Sequence, residues 1–121
     1  SLAAEEKVKI VFVPQIIPVN RGILSSLYFK LSKKVDSAQL LSLYKSFYKN
    51  EPFVRVLNEG VFPQTRAVQF TNYCDIGLKV DSETETVIVV SAIDNLVKGA
   101  AGQAIQNLNI IMRWEETLGL I

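Results

Sequence analysis

The chain has 121 residues, 49% hydrophobic and 21% charged, with 13 basic against 12 acidic side chains and no histidine. Such a chain makes one compact domain spanning residues 1–121, with no low-complexity segment, and its balanced charge gives no general attraction to nucleic acid or an anionic membrane surface. Without imidazole, and with Cys74 as its single cysteine, it cannot assemble a Ser/His or Cys/His nucleophile, an intrachain disulfide or a zinc site, so no metal is expected.

Val8 to Val13 reads as a short apolar strand closed by Pro14, and Pro18 keeps the next segment extended. From Gly22 to Leu31, Ile23, Leu27, Phe29 and Leu31 alternate with Leu24, Ser26, Tyr28 and Lys30, which predicts a second strand with one more apolar face. Ser32-Lys33-Lys34 turns the chain. Asp36 and Gln39 then form a capping-box pattern ahead of Leu40, Leu43, Tyr44 and Phe47, an amphipathic helix ending near Asn50 before Pro52.

Phe53 to Leu57 has room for a brief strand and Asn58-Glu59-Gly60 for a turn, while Pro63 breaks any regular element before Ala67 to Phe70. Cys74 to Val80 and Thr86 to Ile93 read as an antiparallel pair joined through Asp81 to Glu85. That loop carries three carboxylates but lacks the spacing and glycine of an EF-hand, so it reads as a solvated turn. From Asn95 to about Trp114, Leu96, Ala100, Ala104, Leu108 and Ile111 lie beside Val97, Ala101, Ile105 and Met112 at helical spacing, which predicts a long buried helix.

Short strands with two separated helices predict an α+β fold, a largely antiparallel or mixed sheet with helices on one face. The other face then needs a cover, a second subunit or a second domain. The aromatics Tyr28, Phe29, Tyr44, Phe47 and Tyr48 sit at spacings that suit a core and a subunit interface better than a ligand cage. No apolar run approaches the ~20 residues of a membrane span and no secretion signal stands at the start, so a cytoplasmic location is expected. Ser1-Leu2 ahead of Ala3-Ala4-Glu5-Glu6 suggests a piece cut from a longer protein.

Candidate chemistry gathers where the strand ending at Ile93 meets the next helix, a junction of the kind that places anions and cofactors. Asp94 or Asn95 can cap that helix by accepting a first-turn amide proton. Lys98 follows where a cation is mildly disfavoured by the helix dipole, so either a phosphate or carboxylate lies near it or it sits on a solvated face. Gly99 and Gly102 permit close approach, by another surface or by a packed helix. Arg21, between a proline-stiffened segment and Gly22, could grip an anion in two parallel hydrogen bonds or pair with a carboxylate at the sheet edge. Cys74 has no histidine to activate it and reads as a small core residue. Neither GxGxxG nor GxxxxGK[ST] is present.

Four blocks carry a resemblance along most of the chain: Pro14 through Pro18 to Arg21-Gly22-Ile23, Tyr48 to Val56, Asn72-Tyr73-Cys74-Asp75-Ile76-Gly77, and Asp94 to Ala104. In that order they resemble the C-terminal catalytic and dimerisation domain of N-acetyl-gamma-glutamyl-phosphate reductases, within the semialdehyde dehydrogenase group. Glu115-Glu116-Thr117 and Leu118-Gly119-Leu120 resemble the family's final turn, so the true C-terminus is expected here.

The resemblance implies a preceding nucleotide-binding domain of the same protein, a homodimer or homotetramer, and NADP in the full-length enzyme rather than on this chain alone. It also implies the reaction, in which a cysteine thiolate outside this chain displaces phosphate from an acyl phosphate, hydride from NADPH reduces the thioester, and the adduct collapses to the semialdehyde. The family's catalytic histidine precedes the position of Val8, so no catalytic residue is expected here, and many relatives have histidine where Gln15 stands. Asp94, Asn95, Lys98, Gly99 and Gly102 are then expected to face the cofactor, with Arg21, Asn72 and Tyr73 toward the substrate. Relatives acting on aspartyl phosphate or carrier-linked aminoadipyl phosphate share the mechanism, and a purely structural dimerisation module is the remaining alternative.

Overall fold

The computed structural model describes residues 9–121. Within them the alternating segments form β1 (Ile23–Lys30), β2 (Val54–Val56), β3 (Cys74–Asp81) and β4 (Thr86–Ile93), one sheet in the order β1-β4-β3-β2. β4 runs antiparallel to both neighbours and β2 is parallel to β3, so the sheet is mixed. The β3–β4 hairpin closes through four residues in which the Asp81 carboxylate accepts from Glu83 N and Thr84 Oγ1. It matches the antiparallel pair expected from the sequence. The parallel β2–β3 pair needs a longer crossover, supplied by residues 57–73.

Helix α1 (Ser37–Phe47) connects the two edge strands across one face. Its start is set locally. Asp36 Oδ1 accepts from Gln39 N at 2.8 Å and Gln39 Oε1 accepts from Asp36 N at 3.2 Å, the reciprocal box read from the sequence. Leu40 thereby packs against Ile76, Leu78, Val87 and Val89, the buried cluster of the domain. On the opposite face the crossover forms one helical turn, α2 (Thr65–Val68), whose Val68 is fully buried. No such helix was expected there, because Pro63 and a four-residue length leave no periodicity to read.

Two expectations fail. Lys9 to Val13 has no regular structure, and Ile10, Val11, Phe12 and Val13 are exposed; Val8, the first residue of the strand expected there, lies outside the described residues. The long buried helix is instead a π-helical turn, Val97–Ala101, followed by α3 (Gly102–Ile111). Its buried residues are Gly102, Gln106 and Asn109, while Ile105, Leu108, Ile111 and Met112 are exposed. The apolar stripes are real at helical spacing but face outward, and the polar stripe faces in.

α3 stops early because Arg113 takes a left-handed conformation at φ 56, with Trp114 N donating to Asn109 O at 2.8 Å and Arg113 N to Ile110 O at 3.1 Å. This is a Schellman closure made without the usual glycine. β1 is exposed along all eight residues on both faces, which leaves Leu24 and Tyr28 on one side and Leu27 and Phe29 on the other uncovered.

Removing the Asp36 side chain leaves the Gln39 amide proton without its cap, so Asp36→Ala should cost about 1 kcal/mol. Urea unfolding of the variant beside the parent reads this as a lower midpoint with an unchanged slope.

Candidate functional site

β4 ends by delivering Asp94 into the protein, where it is fully buried. A buried carboxylate needs partners, and this one has four. Oδ2 accepts from Arg21 Nη1 at 2.9 Å and from Phe70 N at 2.7 Å, and Oδ1 accepts from Leu96 N at 2.8 Å and Val97 N at 3.2 Å. The last two are helix-start amides, so of the two residues able to cap this helix, Asp94 does so. Burial works against its charged form, but the bonds from Phe70, Leu96, Arg21 and Val97 prevail and hold the carboxyl below its ordinary value.

Asn95 is the next residue of the same segment. Its Oδ1 accepts from Gly22 N at 2.8 Å. Gly22 holds φ at +114°, and a Cβ there would stand 2.5 Å from Thr65 Cβ, so only glycine fits. Arg21 therefore has the carboxylate partner weighed as its alternative, and its guanidinium also lies 4.3 Å over the Phe70 ring. The guanidinium stays part-exposed and borders a shallow cleft of about 440 Å³ with Val19, Asn20, Thr65, Gln69 and Phe70. Phe70 adopts φ 63, a strained conformation for an aromatic residue, held by the bond from its own amide to Asp94.

The other candidates form two further groups. Asn72 is buried, and its Nδ2 donates to Gln106 Oε1 at 2.9 Å. Lys98 Nζ donates to the same oxygen at 2.7 Å and lies 5.4 Å from the centre of the Phe53 ring. Lys98 thus reaches inward to its own domain. Burial pulls its pKa down, against the pull of Cys74, Glu116 and Glu51. Gly102 packs so closely on Asn72 that a Cβ would also stand 2.7 Å from Val97 Cγ1, whereas Gly99 is exposed and a Cβ there would meet only ordinary contacts. Of the two glycines, 102 serves internal packing and 99 leaves backbone open to an approaching surface.

Tyr73 stacks beneath Arg55, whose Cζ lies 4.3 Å over its ring while Nε and Nη2 bind Asp75 at 2.6 and 2.9 Å. Burial pushes the Cys74 thiol up, with Lys98 opposing and Asp75 adding to the rise, which works against its thiolate form. Among the described residues no group of three or more His, Cys, Asp or Glu is placed to hold a metal ion. A larger cavity, about 640 Å³, lies by Lys33, Lys34, Asp36, Glu59 and Glu85 and includes none of the candidates.

Asp94, Asn95 and Arg21 therefore meet at one point; Asn72, Lys98 and Gly102 meet at a second; Tyr73 stands in a third. Sequence reasoning passed over Gln106, Arg55 and Phe70. Gln106 had one available signal, a polar residue four positions after Gly102 on the same helical stripe as Asn109.

Residues 1–95 match the family description "Semialdehyde dehydrogenase, dimerisation domain". The chain is 51% identical over its whole length to N-acetyl-gamma-glutamyl-phosphate reductase of Staphylococcus saprophyticus subsp. saprophyticus. It is 56% identical over 99% of its length to the protein of that name from Geobacter metallireducens. It spans 35% of the length of each. Among solved structures, aspartate semialdehyde dehydrogenase II from Vibrio cholerae superposes on 80% of this chain, and on 29% of its own, with a TM-score of 0.64 at 20% identity. That likeness concerns the fold.

Because the Asp94 carboxyl titrates lower when folded than when unfolded, its contribution is present above the unfolded value of about 3.9 and disappears as pH falls through the folded value. Asp94→Asn should cost about 3 kcal/mol at neutral pH, and the gap to the parent should close progressively below about pH 3.9. Urea titrations across that range check both statements.

Proposed function

As the chain belongs to the semialdehyde dehydrogenase dimerisation-domain family, we propose that it closes the active site and forms the dimer of an NADPH-dependent reductase. The full-length protein converts N-acetyl-glutamyl 5-phosphate to N-acetyl-glutamate 5-semialdehyde and phosphate in arginine biosynthesis, in the cytoplasm. The observation that carries this reading is identity above 50% over essentially the whole chain to reductases of that name.

The chemistry in the chain agrees with a supporting half. It contains no histidine, and burial disfavours the thiolate of its single cysteine, which agrees with a nucleophile and a base supplied by the rest of the protein. NADPH supplies the hydride when bound. The residues here suit its approach, since Gly99, in the π-helical turn, leaves its surface uncrowded and Asn95 stands at the join. Asn95 orients that join by accepting from Gly22 N. Arg21 keeps part of its guanidinium at the cleft surface while Asp94 fixes its position, which leaves donors for a substrate anion.

Two apolar surfaces exposed among the described residues suit the partners of this reading. β1 with Leu24 and Tyr28 fits the second subunit, and the outer stripe of α3, with Ile105, Leu108 and Ile111, fits the nucleotide-binding domain. The same dimer would serve a related enzyme of different substrate, so the acyl group has to be tested directly.

The full-length protein should reduce NADP in the presence of phosphate with N-acetyl-glutamate semialdehyde and not with aspartate semialdehyde; the reverse preference would move it to a sister family. The 121-residue chain alone should show no turnover. In the full-length protein, Asn95→Ala should lower kcat/KM roughly 10-fold or more, as loss of a positioning contact does, with the dimer unchanged by gel filtration.

A further inference from the structure

Gln106 lies near the middle of α3 on the face that turns inward, and it is 7% exposed. Its side-chain amide uses both ends. Oε1 accepts from Lys98 Nζ at 2.7 Å and from Asn72 Nδ2 at 2.9 Å, and Nε2 donates to Glu116 Oε1 at 2.6 Å. The orientation follows from the charges. An ammonium has only protons to offer, so the Gln106 oxygen must face Lys98; its nitrogen then faces the carboxylate of Glu116, and Asn72 must present its own nitrogen to the shared oxygen. One neutral side chain thus joins the end of the crossover ahead of β3, the π-helical turn and the segment beyond α3.

Two features show that this join sets a conformation. Lys98 belongs to the π-helical turn, whose wide winding is seen in Ala101 N donating to Leu96 O at 3.2 Å. Such a turn is costlier than the α-helix and persists where surrounding contacts specify it. Asn109, one turn on, donates from Nδ2 to the carbonyls of Glu116 and Leu118 at 3.1 and 2.9 Å. The final segment is therefore tied to the helix by the same inward polar stripe. Asn95 and Gly99, which stand on either side of Lys98, take their placement from how this turn is wound.

We propose that Gln106 is a positioning residue, which holds Lys98 inward through Oε1 and Glu116 through Nε2 and thereby fixes the π-helical turn that presents Asn95 and Gly99. The role in turnover rests on the reductase reading; the grip on Lys98 does not. The titratable groups that face Lys98 are Cys74 of β3, Glu51 ahead of β2, and Glu116. Gln106 is the neutral member, so it can be given a charge without changing its shape.

The test uses the full-length protein with Gln106→Glu and Gln106→Met, reading the acetylation rate of Lys98 by mass spectrometry as a function of pH. A carboxylate beside Nζ favours the ammonium, so Gln106→Glu should slow labelling several-fold at mildly alkaline pH. Gln106→Met removes the acceptor and should speed it. Opposite displacements support the proposal, and titrations that coincide with the parent's overturn it; the isosteric Glu variant decides alone should the Met variant fail to fold. In the NADP assay Gln106→Met should raise KM for NADP several-fold with a smaller change in kcat, and a parental KM in both variants would overturn the positioning role. No turnover by the parent itself would sink the reductase reading and leave the labelling result to decide the grip on Lys98.

Discussion

The arrangement depends on a charge taken out of water. Asp94 is fully buried, and desolvating a carboxylate is tolerated only where close partners replace the lost hydration. Its partners come from three places: Arg21 ahead of β1, Phe70 at the end of the crossover, and the amides of Leu96 and Val97 that begin the last helix. One carboxylate thus closes loops separated by 73 and 24 residues. The positive φ of Phe70, the stacking of Arg21 on its ring and the fit of Gly22 against Thr65 are all local consequences of meeting at that point.

A second constraint acts beyond the join. Most amphipathic helices turn apolar residues inward, yet α3 turns in Gln106 and Asn109 and leaves Ile105, Leu108 and Ile111 outside. The inversion is stable because the inward amides are paired, to Lys98, Asn72, Glu116 and the backbone of the final segment. The outward face is then free to meet another body. The family match to residues 1–95 stops where this helix is about to start.

What could be read from the sequence is what was decided locally. The capping box of Asp36 and Gln39 spans three residues, and the β3–β4 hairpin repeats its alternation on both sides of a polar turn, so both were legible. The cap at Asp94 was legible for the same reason. Its ion pair to Arg21 was visible only as one of two options, because the partner is distant in sequence. Helical spacing located α3 but gave it the wrong inner face, since periodicity reports where apolar residues lie and not what covers them. The π-helical turn and the left-handed closure at Arg113 have no residue signature, glycine being absent from the position that usually announces such a closure. Lys98 drew attention as an unfavourable cation near a helix start; its partner Gln106 carries no such oddity.

The bare strand β1 has a consequence for the life of the protein outside its assembly. Among the described residues, the eight of this edge strand offer unpaired amides and carbonyls on one side and apolar side chains on both faces. In the dimer proposed above, a separated subunit would carry a template for indiscriminate strand pairing, and its lifetime in dilute solution would be set by how quickly it meets a correct mate. Stability then acquires a concentration term, because every mating event removes monomer from the pool that unfolds or aggregates. For such a chain, abundance in the cell is itself a stabilising variable.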